Sequence, residues 1–289
     1  MRWNDGMTEV LSPAQYLSRL QGRLEEQGPV AVAVSGGVDS MTLAYVAHRV
    51  NPQNQAFHAL SAAVPVSATD RVKRYADREG WHLAVIDAGE MQDPTYLSNP
   101  VDRCYYCKSC LYDTIHGATE LSIASGTNLD DLSDYRPGLK AASEFEVHHP
   151  FVEVGMDKNS VRAVAAHLGL DDLSELPAAP CLSSRITTGI AIDDRLLPVV
   201  DEVERAVWRI MAGVLPLNAV RCRIREDQIA IELDSDQQVD DGAEYTREIR
   251  NKVREVFKGK GLAEEAYAIS IEPYRRGSAF LIESVQIDQ

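Results

Sequence analysis

Positive charge is scarce in this chain: 29 Lys and Arg stand against 44 Asp and Glu in 289 residues, a formal charge of −15. A surface that binds nucleic acid needs clustered Lys and Arg on phosphates, so no nucleic-acid partner is expected. A local basic pocket for a small phosphorylated substrate is still compatible with that balance. No apolar run is long enough to cross a bilayer, and no membrane partner is expected. Met1 to Val10 lack the basic and apolar regions of a signal peptide, which leads us to expect a cytoplasmic setting. There are only five cysteines. Without an export signal they suggest thiols, metal ligands or catalysis rather than a disulfide framework. Internal repeats and low-complexity segments are also missing. A 45% hydrophobic content and 25% charged residues are ordinary for a soluble protein, and the length allows one α/β domain plus a smaller companion.

The most informative segment is P-V-A-V-A-V-S-G-G-V-D-S, ending at Ser40. A β-branched apolar run that ends in Ser35-Gly36-Gly37 and enters an amphipathic segment reads as a buried strand turning into a helix. Two glycines let the backbone approach a ligand without a Cβ in the way. Amide N–H groups of the turn and of the helix start then converge as an anion site. No lysine follows, which excludes the G-x-x-x-x-G-K-[ST] phosphate loop. S-G-G-x-D-S instead resembles the pyrophosphate loop of ATP pyrophosphatases, which cleave ATP to AMP and pyrophosphate.

Around this loop the pattern predicts helices at Pro13–Gln27, Met41–Val50 and Thr69–Gly80. It predicts strands at Val30–Val34, Ala56–Val64, His82–Asp87 and Leu121–Ser125. Strands alternating with helices imply βαβ units and a mostly parallel, doubly wound sheet, with ligands beyond the carboxyl ends of the strands. The loop at Ser35, the segment Ser61–Ser67 and the stretch Ser125–Gly138 should therefore surround one nucleotide. A helix is expected at Lys158–Leu168. After the proline-rich Pro177–Pro180 the pattern changes to a helix at Asp193–Met211, a hairpin of Ala219–Arg225 with Gln228–Leu233, a helix at Glu244–Phe257 and a strand at Ala266–Ile271. The expected division is an α/β domain over residues 1–190 and a smaller α+β domain over 191–289, the latter for substrate binding or oligomerisation.

Arg103-Cys104-Tyr105-Tyr106-Cys107-Lys108-Ser109-Cys110 spaces three thiols three residues apart, in a loop running into a helix. Cys181 follows in P-C-L-S-S-R. Two thiolates in C-x-x-C can reach one tetrahedral ion or one edge of a cluster. The residues alone leave open an iron–sulfur cluster, a structural zinc, or buried thiols acting as small hydrophobes. Cys110 has a spacing that would suit a ligand equally well, and Cys222 reads as a core residue of a strand.

S-G-G-V-D-S, R-C-Y-Y-C-K, G-T-N-L-D-D-L-S-D-Y-R-P-G, P-C-L-S-S-R-I and Y-R-R-G-S together resemble, in this order, the LarE family of ATP-dependent sulfur transferases. The resemblance implies a PP-loop, adenine nucleotide alpha hydrolase-like fold and a role in making the nickel-pincer nucleotide cofactor. It implies that ATP with Mg2+ activates the carboxylates of pyridinium-3,5-biscarboxylic acid mononucleotide in turn, releasing pyrophosphate, and that sulfur then replaces AMP. One family variant surrenders the sulfur of a cysteine matching Cys181, in a single turnover. In the other, cysteines matching Cys104, Cys107 and Cys181 hold a 4Fe–4S cluster that carries an extra sulfide, replenished here by an unidentified sulfide donor. All three are present, so the cluster variant is implied.

By the same resemblance, Ser35, Gly36, Gly37, Asp39 and Ser40 hold the ATP phosphates, and Gly126 lets the nucleotide approach the backbone. Asp130 and Asp131 are candidate metal ligands, and a solvated helix start is their other reading. Arg221, Arg223 and Arg275 line a site for the substrate's phosphate, for which paired guanidinium groups are suited. Ser184 and Arg185 orient substrate beside Cys181, and Glu204 and Glu232 match acidic positions. A homo-oligomer is expected. The main competing reading is a tRNA-thiolating ATP pyrophosphatase, which the charge of −15 makes awkward. An ammonia-using synthetase would leave the three cysteines without a role, and a non-catalytic nucleotide-gated metal-binding protein is the remaining alternative.

Overall fold

Strand β1 (Val30–Ala33) is buried along its whole length and organises the first half of the chain. With β2 (Gln55–Ala59), β3 (His82–Ile86) and β4 (Ser122–Ser125) it makes a four-stranded parallel sheet in the order β3-β2-β1-β4. The computed structural model describes residues 11–133, 136–178, 180–240, 242–262 and 267–275. Alternation along β1 separates two cores. Val30, Val32 and Val34 pack on one face with the helices Pro13–Gln27, Val38–Val50, Val66–Glu79 and Lys158–His167. Ala31 and Ala33 face the helices Arg103–Ala118 and Pro137–Glu144. Helices thus cover both faces of the sheet, and His148 extends it by a single parallel bridge to Ala124.

A second, mixed sheet follows. Strand β5 (Ala219–Ile224) pairs antiparallel with β6 (Gln228–Asp234), which pairs parallel with β7 (Ala268–Pro273). One face buries Val220, Cys222, Ile224, Ile229 and Ile231 against the helices Leu196–Met211 and Glu244–Gly259. Residues of the alternate set, Arg221, Arg223 and Glu232, occupy the other face. The apolar core of this sheet also takes in Ala63, Tyr96, Leu182 and Ile186, so it packs against segments at the carboxyl ends of the parallel strands.

Several boundaries differ from the sequence reading for local reasons. Strand β2 stops at Ala59 instead of Val64, because Val64 N–H turns back onto Ser61 O at 3.1 Å. The next helix begins at Val66, with Pro65 as its N-cap, and Gly80 ends it at φ 74°. The helix expected from Asp193 starts at Leu196, since the Asp193 side chain accepts from Arg195 N–H at 2.9 Å and closes a turn there. The cysteine segment is no loop: Cys104, Cys107 and Cys110 all lie on the helix Arg103–Ala118. Asp134 and Tyr135 of the long motif, and Arg276, Gly277 and Ser278 of Y-R-R-G-S, lie outside the described residues.

Candidate functional site

The phosphate-loop candidate joins β1 to the helix Val38–Val50. Ser40 Oγ accepts from Ser35 N–H at 3.1 Å, lies 3.1 Å from Ser35 Oγ and donates to Gly37 O at 3.2 Å. The two serines thereby close the turn on itself. Gly36 has φ +85°, and a Cβ there would meet Ala68 O at 2.8 Å, so position 36 requires glycine twice over. At Gly37 the nearest atom to a Cβ would be Ser35 Oγ at 3.7 Å, an ordinary contact. Arg71 Nη1 donates to Gly36 O at 2.6 Å and supports the turn from behind. A Cβ on Gly126 would fall 2.7 Å from Ser40 N and 2.8 Å from the Asp39 carbonyl carbon. The close approach that Gly126 permits is therefore that of the Asp39–Ser40 backbone, which ties the end of β4 to the start of the helix.

Asp39 is approached by two residues that sequence reasoning missed. Asn128 Nδ2 donates to its Oδ1 at 3.3 Å, and the Lys158 ammonium donates to its Oδ2. Lys158 comes from 119 residues downstream, and nothing in its neighbourhood marks it as a partner of the loop. Asp130 and Asp131 serve local structure. Asp131 Oδ2 accepts from Asn128 N–H at 3.1 Å and its Oδ1 pairs with Arg136 at 2.7 Å; Asp130 Oδ2 accepts from Lys158 N–H at 3.1 Å.

The cysteines lie at the same edge of the sheet. Leu182 N–H bonds Ala63 O at 2.8 Å, which places Cys181 beside the segment after β2. Tyr96 OH lies 2.6 Å from Ser183 Oγ, and Asn99 Nδ2 donates to Thr187 O and Ile190 O at 2.9 Å each. Chain 96–103, which leads into the cysteine helix, is thus laced to the chain after Cys181. Desolvation, followed by the charge of Cys181, pushes the Cys104 thiol up; desolvation also raises Cys107, where Cys181 contributes in the same direction. Both thiols are therefore held protonated, and ligation to a metal would release those protons. Cys110 is raised by desolvation and then by Asp93 and Glu90. Cys104 and Cys107 both feel the charge of Cys181, while Glu90 acts on both Cys107 and Cys110. Among the described residues no three His, Cys, Asp or Glu side chains converge as ligands of a single metal ion. Cys222 is fully buried in the core of the second sheet.

Three of the arginines bond carbonyls in or just before the Cys181 loop. Arg185, with its side chain 2% exposed, makes a two-point pair with Glu204 at 2.8 and 2.9 Å, and its Nη1 donates to Pro180 O at 2.7 Å. Glu204 Oε1 also accepts from Cys222 N–H at 2.9 Å, which fixes the pair to β5. Arg223 pairs with Glu232 at 3.0 Å and donates to Ser184 O at 2.6 Å. Arg221 donates to Ala178 O and to Val220 O, both at 2.7 Å. Its pKa is lowered by desolvation first and then by Arg185, with Glu204 acting in the opposite direction. Ser184 Oγ donates to Cys181 O at 2.7 Å. Arg275 is exposed just beyond β7. His149 Nδ1 lies 2.9 Å from Ser125 Oγ at the end of β4.

No protein-family model matches the chain. The uncharacterized protein slr1717 of Synechocystis is 36% identical over 231 residues, covering 78% of this chain and 83% of that protein. The uncharacterized protein MJ0830 of Methanocaldococcus jannaschii is 24% identical over 266 residues, 90% of this chain and 97% of that one. The pyridinium-3,5-bisthiocarboxylic acid mononucleotide synthase of Lactiplantibacillus plantarum is 28% identical over 220 residues, 74% of this chain and 78% of the synthase.

Proposed function

The chain belongs to one family with slr1717 and is related at lower identity to the bisthiocarboxylic acid mononucleotide synthase, and on that LarE-type kinship we propose that it is an ATP-dependent sulfur transferase. Its substrate would be pyridinium-3,5-biscarboxylic acid mononucleotide. A carboxylate oxygen attacks the α-phosphorus of ATP, giving an acyl-adenylate and releasing pyrophosphate. Sulfur then replaces AMP at the acyl carbon. The observation that carries this reading is the placement of two kinds of site at one edge. The Ser35–Ser40 turn and the Cys104–Cys107–Cys181 group both lie beyond the carboxyl ends of the parallel strands, where such sheets bind ligands.

In this reading the loop amides and the Ser35 and Ser40 hydroxyls bind the phosphates, and Asp39 is placed to hold Mg2+ on the nucleotide. The donor set of Cys104, Cys107 and Cys181 fits an iron–sulfur cluster in kind, being three thiols from two segments, with Cys104 and Cys107 both feeling the charge of Cys181. Convergence on a single ion is absent among the described residues, which argues against compact zinc more than against a larger cluster. Held by three protein thiolates, a 4Fe–4S cluster would offer one iron without a protein ligand as the carrier of a transferable sulfide. Arg185 and Arg223 act on the carbonyls of the Cys181 loop and so set where that thiol stands. Arg221 and Arg275 remain as the candidate cations for the substrate's phosphate, Arg275 because it is exposed just beyond β7.

Iron and acid-labile sulfide content after anaerobic purification tests the cluster, together with pyrophosphate release on adding ATP and the mononucleotide. Cys104→Ser, Cys107→Ser and Cys181→Ser should each lose nearly all of the brown chromophore, and Cys110→Ser should keep most of it. A colourless protein that loses one sulfur's mass at Cys181 after turnover would favour the sacrificial route. No pyrophosphate release with the mononucleotide would sink the functional reading.

A further inference from the structure

Resting on the ATP reading above, we propose that Asp201 is a positioning residue for the phosphate loop, capping from the helix Leu196–Met211 the helix Val66–Glu79 on which that loop leans. A helix leaves its first N–H groups without partners of its own. The residue before Val66 is Pro65, which has no side-chain oxygen and makes no side-chain cap bond. Pro65 O takes the N–H of Ala68 at 2.9 Å and of Thr69 at 3.3 Å, so Val66 N–H falls outside this local pattern. Asp201 meets it from far along the chain. Its side chain is only 8% exposed, and its Oδ2 accepts from Arg205 Nε at 3.0 Å. Burial pushes its carboxyl up, and Arg205 and the Val66 N–H both oppose that by favouring the charged form. A carboxylate at this end of a helix is also stabilised by the aligned peptide dipoles.

The first turn of this helix is the wall behind the loop. Ala68 O and Ala68 Cβ stand 2.8 and 2.9 Å from the place a Gly36 Cβ would take, and Arg71 donates to Gly36 O at 2.6 Å. Beyond that turn the helix is secured by other means. Thr69 Oγ1 lies 2.9 Å from His58 Nε2, and Val72 and Tyr75 are fully buried. Loss of Asp201 should therefore fray one turn and spare the fold. Glu204 follows Asp201 by three residues, so the two carboxylates share one helix face. Glu204 holds Arg185, which bonds the carbonyls of Pro180 and Cys181. One helix thus reaches both sites, Asp201 toward the turn and Glu204 toward the Cys181 loop, and fixes the gap that sulfur must cross to reach an acyl-adenylate.

Amide hydrogen exchange and ATP calorimetry with Mg2+, both on the full-length protein, test this. Asp201→Ala should speed exchange at Val66, Ser67 and Ala68 and leave the helix Lys158–His167 unchanged. It should also raise the Kd for ATP about fivefold, the equivalent of one lost helix cap. Asp201→Asn keeps an acceptor oxygen of similar capping strength and should stay close to wild type. Pro65→Ser made in the Asp201→Ala background gives the helix a cap of its own and should restore most of the ATP affinity. Should Asp201→Ala fail to fold, that double variant and Asp201→Asn still decide the matter. Unchanged exchange at Val66 to Ala68 in Asp201→Ala overturns the cap, whether or not ATP binds. Faster exchange with wild-type ATP affinity overturns the role at the loop. Tighter ATP binding in both Asp201→Ala and Asp201→Asn would mean that the carboxylate only repels the nucleotide, and overturns it equally. A wild-type protein that does not bind ATP overturns the ATP reading and this role together, while exchange still judges the cap.

Discussion

The turn at Ser35–Ser40 and the loop at Cys181 are held by opposite means. The turn closes through bonds between residues five apart or fewer, with glycines where the backbone has no room. The Cys181 loop enters a single 3-10 turn at Leu182–Arg185 and is further fixed by guanidinium groups from afar, one of them 43 and another 39 residues downstream. The first is shape written in contiguous sequence. The second is an electrostatic clamp assembled only by folding, and its central Arg185–Glu204 pair is buried. The two should therefore fail differently when they are altered.

The clamp should show the largest effect. Glu204→Ala leaves the Arg185 guanidinium buried without its carboxylate, and losing one partner of a buried pair costs roughly 3–5 kcal/mol. Replacing both, Arg185→Met with Glu204→Leu, should recover much of that stability in denaturant unfolding. It should still impair sulfur transfer, because the carbonyls of Pro180 and Cys181 lose their donor. A Glu204→Ala cost below about 1 kcal/mol would show a solvated pair and remove the contrast.

The turn should respond to single methyl groups. Gly126→Ala places a Cβ against backbone atoms at 2.7 and 2.8 Å that no side-chain rotation can relieve. Overpacking of that kind costs about 1–3 kcal/mol, and here it should also abolish ATP binding by shifting Asp39 and Ser40. Gly36→Ala should behave alike, with added strain from its positive φ. Gly37→Ala, which meets nothing closer than 3.7 Å, should fold normally and keep ATP affinity within a few-fold. Equal damage at 36 and 37 would mean that the pair acts through flexibility rather than space.

This difference also explains what could be read from the sequence. The β1–turn–helix unit, the alternating strands and the hairpin of β5 with β6 were legible because each follows from periodicity or turn chemistry within a short window. The partners Lys158 and Asn128 were not, since no local signal links them to Asp39. The arginines were legible as a pair on one face of β5, but their bonds to carbonyls of the Cys181 loop depend on a tertiary contact. Cys110 shows the same limit. Its spacing equals that of Cys107, and the acidic neighbours that act on it, Asp93 and Glu90, are set by the fold and not by that spacing. The cysteine segment shows the converse: C-x-x-C spacing fits a loop as well as a helix, and the helix that runs on to Ala118 decides between them.

The smallest expected effect probes the backing of the turn, where one long-range bond occurs. Tyr75 lies on the helix Val66–Glu79 that also presents Ala68 and Arg71 to the loop, and its hydroxyl donates to Asp172 at 2.5 Å, 97 residues away. Burial first, and then the bond to Asp172, raises its pKa from 10.0 to about 12. Below about pH 10 both folded and unfolded chains keep the phenol proton, and the bond's contribution is fully present. Between about 10 and 12 the unfolded chain releases that proton while the folded chain holds it, so the unfolded state binds fewer protons and stability falls as pH rises. Tyr75→Phe should cost about 1 kcal/mol near neutral pH, the usual net value of one hydrogen bond. That gap should narrow steadily in urea unfolding at pH 8, 10 and 11, because the phenylalanine variant lacks the titrating group. A gap that stays constant or widens over this range would mean that Tyr75 is not a tyrosine held protonated by the fold. The backing helix would then hold the turn through Arg71, without a contribution from the Tyr75–Asp172 bond.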